Sequence, residues 1–498
     1  MSIDQAELSS CLVSGGDDRL LLDPSTRVNM YGYGPSPSPD DLAFSSSTAS
    51  TISARGFDAA AQTFERLQTA LATGDANTVY TAEMEGVRDR LRKALGLDPA
   101  DVDVVLAASG TDLHLIIAAL LQGLHQRPVL TVSLTGSETG SGIGLAASGR
   151  HAMPHPVSGR DVIKGDPIGE TLTLGSAALP VRDPEGNLRA ETSIAAELTT
   201  QVAAAIGSGA HCILVATDVS KTGLIAPALE TIFALKQQFG EQLTVLVDAC
   251  QMRVSQETVR AYLAKNSIVA VTGSKFVAGP IFSGALLIPK DLATRCKSVP
   301  IATEIGDYSG AGDWPPGWAA AACLPPRPNF GLLLRWHAAL SELERFLDHH
   351  PLKLAWVAMR FADVVEARLK TDSRFESVPG RRLDRSVLGT DIGYDAIPTI
   401  FPFLLKRDTG LLTAPEMTAI YQELAASREG RARVRLGQPV ALGQRAGQPI
   451  AALRLCLSAP LISDALESSA ALDKMITNAL TALDLAAELA QQSRLRVA

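Results

Sequence analysis

The sequence predicts an α/β protein: a large, mostly parallel sheet covered by helices, followed by a smaller α+β region. Three observations carry this reading. Short apolar runs rich in Val, Ile and Leu recur at 105–108, 129–134, 212–216, 243–247, 268–271 and 285–288. Helical stretches at 193–206, 226–239 and 255–264 lie between several of them. Hairpin turn signals between the runs are sparse, which is what crossover connections require, and strands buried on both faces show continuous rather than alternating apolar character.

The chain begins with an irregular segment, 1–55. Its Tyr31-Gly-Tyr33-Gly-Pro-Ser-Pro-Ser-Pro39 stretch is incompatible with a regular helix or central strand. A polar tract, 45–51, follows, and we expect Tyr31 and Ser46 of this arm to line a substrate entrance. The large domain is expected over 56–330: helix over 56–97, the first strand, an apolar helix over 113–124, and then the strand–helix alternation. After a Pro/Gly-rich stretch, 310–328, a long helical segment starts near Phe330 and runs past Pro351 towards Leu369. The small domain, 331–498, continues with a strand at 399–405, a helix at 414–426, a strand at 451–457 and a final helix at 470–491.

Composition narrows the partners. With 498 residues, 46% hydrophobic and 20% charged, the chain is long enough for two or three domains with sizeable cores. The net charge of −8 argues against nucleic acid, whose phosphates require a basic face. No apolar run reaches membrane-spanning length without charges or breakers, and the acidic N-terminus is unlike a signal peptide, so a cytoplasmic protein with no membrane partner is expected. The six cysteines are scattered without C-x-x-C spacing, and the eight histidines form no ligand pattern, so no metal site is expected.

The chemistry concentrates on two strand ends. Val245-Leu-Val-Asp248-Ala-Cys-Gln251 places an acid at the end of an apolar run. Twenty-seven residues later, Val271-Thr-Gly-Ser-Lys275 places a lysine after another. In open parallel sheets ligands bind beyond the C-terminal strand ends, so the two side chains are expected to share one crevice. That pair meets the requirements of pyridoxal 5′-phosphate (PLP): an amine for its aldehyde and a carboxylate to keep its pyridine nitrogen protonated. Lys275 is therefore the expected Schiff-base residue and α-carbon base, with Asp248 beneath the ring nitrogen. Ser109-Gly110-Thr111, between a strand and a helix, offers backbone N–H groups, hydroxyls and a helix dipole to a phosphate. Thr272 and Ser274 offer further hydroxyls beside Lys275.

On these residues the chain resembles the class-V aminotransferase branch of fold-type I PLP enzymes, the branch of cysteine desulfurases and kynureninase. Ser109-Gly-Thr111 resembles its phosphate-cradle turn, and Thr217-Asp218-Val-Ser220-Lys-Thr222-Gly-Leu-Ile-Ala-Pro227 resembles its segment beside the cofactor ring. Asp248 with Gln251 resembles its D-x-x-Q, which implies a contact from Gln251 to the ring hydroxyl. Lys275 and Gly279-Pro280 resemble the lysine and its following Gly-Pro. More loosely, Pro328-Asn329-Phe-Gly331 resembles a segment that reaches the neighbouring subunit's phosphate, which implies a homodimer with a shared active site. Arg454 resembles the arginine that grips a substrate carboxylate, with Arg433 and Arg435 as competitors. The resemblance implies an amino-acid-like substrate and transamination. A PLP-dependent lyase or β/γ-elimination or replacement enzyme, for instance at a C–S bond, is the alternative, and a non-catalytic sensor that retains PLP is a further one.

Two features depart from that pattern. Where a ring usually stacks on the cofactor, the chain has Thr135-Gly-Ser-Glu138-Thr139-Gly-Ser-Gly142, so Glu138, Thr139 or a folded-back His151 is expected over the pyridine. Residues 376–412 contain no cysteine that could act as a mobile persulfide carrier, which argues against desulfurase chemistry of that kind. The same turn also fits T-G-x-x-x-G-x-G, the nicotinamide-binding turn of short-chain dehydrogenases. No tyrosine is followed four residues later by lysine, as that family's chemistry needs.

Overall fold

The computed structural model describes residues 5–390, 393–426 and 430–492. Strand β1 (Leu42–Phe44) comes early and belongs to the second of two sheets. The first sheet draws on β2 (Val102–Ala107), β3 (Val129–Leu134), β4 (Leu174–Leu179), β5 (His211–Asp218), the two-residue β6 (Ile225–Ala226), β7 (Leu243–Ala249), β8 (Ile268–Thr272) and β9 (Gly284–Pro289). Its order is β2-β9-β8-β7-β5-β3-β4, with β6 paired to the end of β5. The β4-β3-β5-β7-β8 pairings are parallel. Only β9 runs against its neighbours on both sides, which leaves β2 pointing the same way as the parallel set.

Every residue of β5, β7, β8 and β9 is buried, as their uninterrupted apolar runs predict. Along β2 the side chains alternate between two cores. Val104 and Leu106 join one, and Val105 and Ala107 join the other. Helix Gly110–His125 covers the second face, while helix Phe330–Leu347 packs on the first. Each fully buried Leu, Ile or Val on these faces is worth about 1.5–3 kcal/mol of transfer free energy.

The second sheet contains β10 (Phe375–Ser377), β11 (Ile400–Arg407), β12 (Gly410–Leu411), β13 (Val434–Arg445) and β14 (Gln448–Cys456), in the order β1-β13-β14-β11-β10. β1 pairs in parallel with β13, Leu42 opposite Val434, so the irregular arm contributes an edge strand to a sheet nearly four hundred residues away. The arm is also tied to the first core by Arg335. This buried guanidinium donates to the carbonyls of Leu12, Ser14 and Gly15 at 3.1, 2.5 and 3.1 Å, and to that of Phe282 at 2.7 Å.

Where local chemistry overrides the sequence pattern, elements differ from expectation. The helix expected over 56–97 is two, Ala54–Leu71 and Ala76–Ala94, because Asp75 restarts it by accepting from the Thr78 N–H. The long segment from Phe330 is likewise broken into Phe330–Leu347 and Pro351–Thr371, with Pro351 at the first helical position and His350 as its N-cap. β4 and β13 were not expected. β4 is a half-exposed edge strand of small residues, and β13 carries Gly437, Pro439 and Gly443, which mask its pattern. Among the described residues, no helix is long and apolar enough to cross a membrane, and no cluster of three or more His, Cys, Asp or Glu side chains is placed to hold a metal ion.

Candidate active site

Because β2, β3, β5, β7 and β8 run the same way, the segments after them meet at one rim. There they line a cavity of about 550 Å³, closed on the far side by Gln438–Ala441 of β13 and by Arg454 of β14. Ser109, Gly110 and Thr111 come from the end of β2, Thr139 from the turn after β3, Thr217 from β5, Asp248 and Gln251 from the end of β7, and Thr272, Ser274 and Lys275 from the end of β8. The acid and the lysine singled out from the sequence therefore face one cleft.

Asp248 is 6% exposed. Burial by itself would raise its pKa. The His114 ring, with Nε2 at 3.6 Å from Oδ2, the nearby Lys275 ammonium and the Cys250 side chain reverse that and hold the carboxyl well below the usual carboxylate range, and the Cys250 N–H donates to Oδ1 at 3.1 Å. An ionised carboxylate is thus maintained inside the cavity wall. Gln251 donates from Nε2 to the Ser47 carbonyl at 3.0 Å, while its Oε1 has no partner. The Thr217 hydroxyl is also buried without one.

The turn after β2 is built for close approach. A Cβ on Gly110 would come within 3.0 Å of the Cys250 Sγ and 3.4 Å of the Thr272 Cγ2, so only glycine lets the backbone sit this near the strand ends. Ser109 caps the following helix by accepting from the Asp112 N–H at 3.2 Å. The N-terminal arm adds Arg19, whose guanidinium lies 3.4 Å from both the Ser109 and Thr111 hydroxyls, stacks over the Phe282 ring and is chelated by Asp17. Burial and Asp17 push the adjacent Asp112 carboxyl up to about 7, against the pull of Arg19.

Arg454 is buried and donates to the Thr48 hydroxyl at 2.7 Å and the Gln438 carbonyl at 2.7 Å, all neutral acceptors. Gly437 makes this possible: a Cβ there would stand 2.7 Å from the Ser47 Oγ and 3.0 Å from the Arg454 Cβ. Its two competitors, Arg433 and Arg435, are both committed to Asp41, at 2.7 and 3.1 Å.

Several expected side chains face elsewhere. Glu138 borders the cavity, yet its carboxylate is taken by Arg182 at 2.9 Å and the hydroxyls of Ser220 and Thr222 at 2.7 and 2.6 Å, so it does not lie free over a ring. Ser220 and Thr222 are consumed in that network and are not among the cavity-lining residues. Asp218 is fully buried away from the cavity and chelates Arg385 at 2.5 and 2.8 Å while accepting from the Tyr262 hydroxyl at 2.7 Å. Ser46 donates to the Leu457 carbonyl and accepts from Arg253, whereas its neighbours Ser47 and Thr48 line the cavity. Asn329, expected to reach a neighbouring subunit's phosphate, instead caps helix Phe330–Leu347 and donates to the Gly15 carbonyl. His151 is hydrogen-bonded to the Tyr308 hydroxyl and does not border the cavity. Tyr31 does.

Arg19, His114 and Lys221 carry no sequence signal that marks them, whereas Thr48 belongs to the polar tract 45–51. Lys221 lies inside the stretch noted above, but nothing local shows that its ammonium turns into the cavity, where it donates to the Gly136 carbonyl at 2.9 Å. Burial, then repulsion from Arg454 and Lys275, draws its pKa down to about 7.

No family model matches the sequence, and no curated protein matches it. Solved structures do. A NifS-like protein aligns over 89% of this chain and 99% of its own, with TM-score 0.54 and 12% identity. A cystine C–S lyase, solved with its reaction product cysteine persulfide, covers 89% and 97% at TM-score 0.54 and 15% identity. Tryptophan decarboxylase from Catharanthus roseus, solved with L-tryptophan, covers 90% and 83% at TM-score 0.52 and 17% identity. The chain thus shares the fold-type I architecture of these structures. The dehydrogenase alternative does not fit that architecture: the glycine-rich turn follows β3, next to the edge of the sheet, whereas a dinucleotide turn belongs on the first, central strand.

Two outcomes follow from these positions. Asp218→Ala leaves the Arg385 charge buried and unpaired, and is expected to cost about 3–5 kcal/mol of stability in denaturant unfolding; a change under about 1 kcal/mol would remove the scaffold role. Competitive acylation followed by mass spectrometry should show Lys221 becoming reactive as pH rises through about 7, since its neutral form is the nucleophile. Labelling that begins only near 10, where ordinary lysines deprotonate, would contradict the cavity placement of its amine.

Proposed function

We propose that this protein is a PLP-dependent enzyme acting at the α-carbon of an amino acid or amino-acid-like substrate, with transamination as its reaction. The observation that carries the reading is the convergence of Asp248 and Lys275 on one cavity whose other walls supply a phosphate cradle and an unneutralised guanidinium.

The residues fit the cofactor on structural grounds. Asp248 is an ionised buried acid suited to a protonated ring nitrogen. The unpartnered Gln251 Oε1 and Thr217 Oγ1 are buried polar atoms that await a ligand, as unsatisfied groups at a cavity wall do. Gln251 suits the ring hydroxyl. Ser109, Gly110, Thr111, Thr272 and Ser274 suit the phosphate, and Arg19 adds a charge-assisted donor to the same end. Lys275 is the amine for the aldehyde. When bound, PLP supplies a sink for the electron pair released at the substrate α-carbon.

The chain's own residues do the rest. Arg454 binds the substrate carboxylate and fixes which bond at Cα faces the catalytic lysine. The Lys275 Nζ, once free, takes the proton from Cα and returns it at the site that transamination requires. Asp248 stays ionised because His114, Lys275 and the Cys250 side chain stabilise its charge. The walls from β13 and β14 limit water at the reacting carbon. A homodimer accompanies this reading. Elimination at a C–S bond is the second reading, favoured by the likeness to a cystine C–S lyase.

Lys275→Ala is expected to abolish the visible absorption band of the bound cofactor that borohydride otherwise erases; a band that persists would move the covalent role to another lysine. Asp248→Ala should lower turnover by about 10²–10³-fold, the usual effect of removing a preorganised charge partner, and weaken cofactor retention on dialysis. Near-normal turnover would reject its assignment. On a panel of amino acids, formation of a 2-oxo acid only in the presence of an acceptor 2-oxo acid selects transamination, whereas ammonia without an acceptor selects elimination.

A further inference from the structure

The charges lining the cavity do not balance, and the imbalance is localised. Its two carboxylates are already engaged, Glu138 by Arg182, Ser220 and Thr222, and Asp248 beside His114 and Lys275. Arg19 is matched by Asp17. Three cations remain: the exposed Lys164, and Arg454 and Lys221, which lie on β14 and on the segment after β5. Arg454 meets only the Thr48 hydroxyl and the carbonyls of Gln438 and Lys221, the last at 3.3 Å. Lys221 meets only the Gly136 carbonyl. Among the described residues no carboxylate lies within ion-pair distance of either.

A cation without a counter-charge in a cavity wall is unfavourable, and two close together repel each other; Arg454 is buried here and Lys221 is half-buried. One substrate carboxylate on Arg454 neutralises only one of them. The Lys221 ammonium sits on the segment after β5, on the opposite side of Asp248 from the Ser109–Thr111 turn in the strand order, so it is placed for the substrate rather than for a phosphate held at that turn. We propose that the substrate carries two anionic groups, one bound by Arg454 and the second, on its side chain, by Lys221. The substrate class is an acidic amino acid or an amino-acid-like diacid. This inference rests on the reading of the cavity as an amino-acid site but concerns anion recognition alone.

The test is calorimetric binding of unreactive acids to the purified holoenzyme: succinate and glutarate against propionate and butyrate. The diacids are expected to bind at least tenfold more tightly than the monoacids. Lys221→Met should reduce the diacids to monoacid affinity, while Lys221→Arg keeps the preference. Equal affinities in the unaltered protein overturn the proposal, even where the Met variant does not fold; so does a Met variant that retains the diacid advantage. The absorption spectrum of the same sample separates the two levels of the argument. A diacid preference without a cofactor band would reject the PLP reading and leave the anion assignment standing, while a cofactor band without the preference would do the reverse.

Discussion

A carboxylate that stays ionised inside a protein wall needs its charge held by neighbours, and the arrangement around Asp248 is the constraint from which the rest of the site follows. The side chain ends a strand whose seven residues are all buried. Desolvation there opposes ionisation, and the His114 ring, the Lys275 ammonium and the Cys250 side chain together overcome it. Each comes from a different element: the helix after β2, the loop after β8 and the residue just beyond β7 itself. These elements meet because the parallel strands end at one rim. The direction of the strands and the charge state of one acid are thus a single structural fact.

The second sheet completes that rim with help from the N-terminal arm. β1 extends the sheet along β13, and the polar tract that follows it places Ser47 and Thr48 against Arg454 and Gln251. Arg335 fixes the beginning of the same arm on the core, which brings Arg19 over the Ser109–Thr111 turn. One segment therefore contacts both ends of the cavity, and its order depends on carbonyls satisfied by a guanidinium more than three hundred residues away. Chain direction alone says nothing about such a long-range match, since the arm has neither helical nor strand periodicity.

That contrast explains how much was legible in the sequence. Lys275 and Asp248 stand at the ends of apolar runs whose period and composition identify buried parallel strands, so their shared location follows from general rules of sheet architecture. Gly110 was legible for the same reason. Glu138 was placed in the right turn but read with the wrong partner, because Arg182 and Thr222 reach it only through the fold and no spacing announces them. Asp218 was read as a cofactor contact from a motif, whereas strand alternation sends it to the opposite side from Thr217, where Arg385 waits. Arg19 was invisible because its contacts lie 90 and 92 residues away. The strand β13 escaped because its glycines and proline, which permit the close approach of Arg454, also erase the pattern by which strands are found.

A distinction between scaffold and site emerges from how buried polar groups are satisfied. Arg335 and Arg385 are buried guanidiniums whose donors are met by carbonyls or a carboxylate of the chain, Arg253 is met by carbonyls and hydroxyls except at its Nε, and none of the three lines the cavity. Buried atoms without partners also occur on side chains that do not line it, the Trp336 Nε1 and Ser267 Oγ among them, so lack of a partner is no sufficient mark of function. What sets Thr217, Gln251 and Ser283 apart is the coincidence of an unpartnered polar atom with the wall of a cavity large enough for a cofactor and a small substrate, and the same wall holds Lys221 and Arg454 without a counter-charge. A fold can tolerate one stray hydroxyl at little cost, but it holds a buried Arg454 beside a half-buried Lys221 only at the expense of stability. Their persistence on that wall is explained when the missing counter-charges arrive with the ligand, and the same free energy that is lost in the empty cavity then becomes the source of selectivity for what fills it.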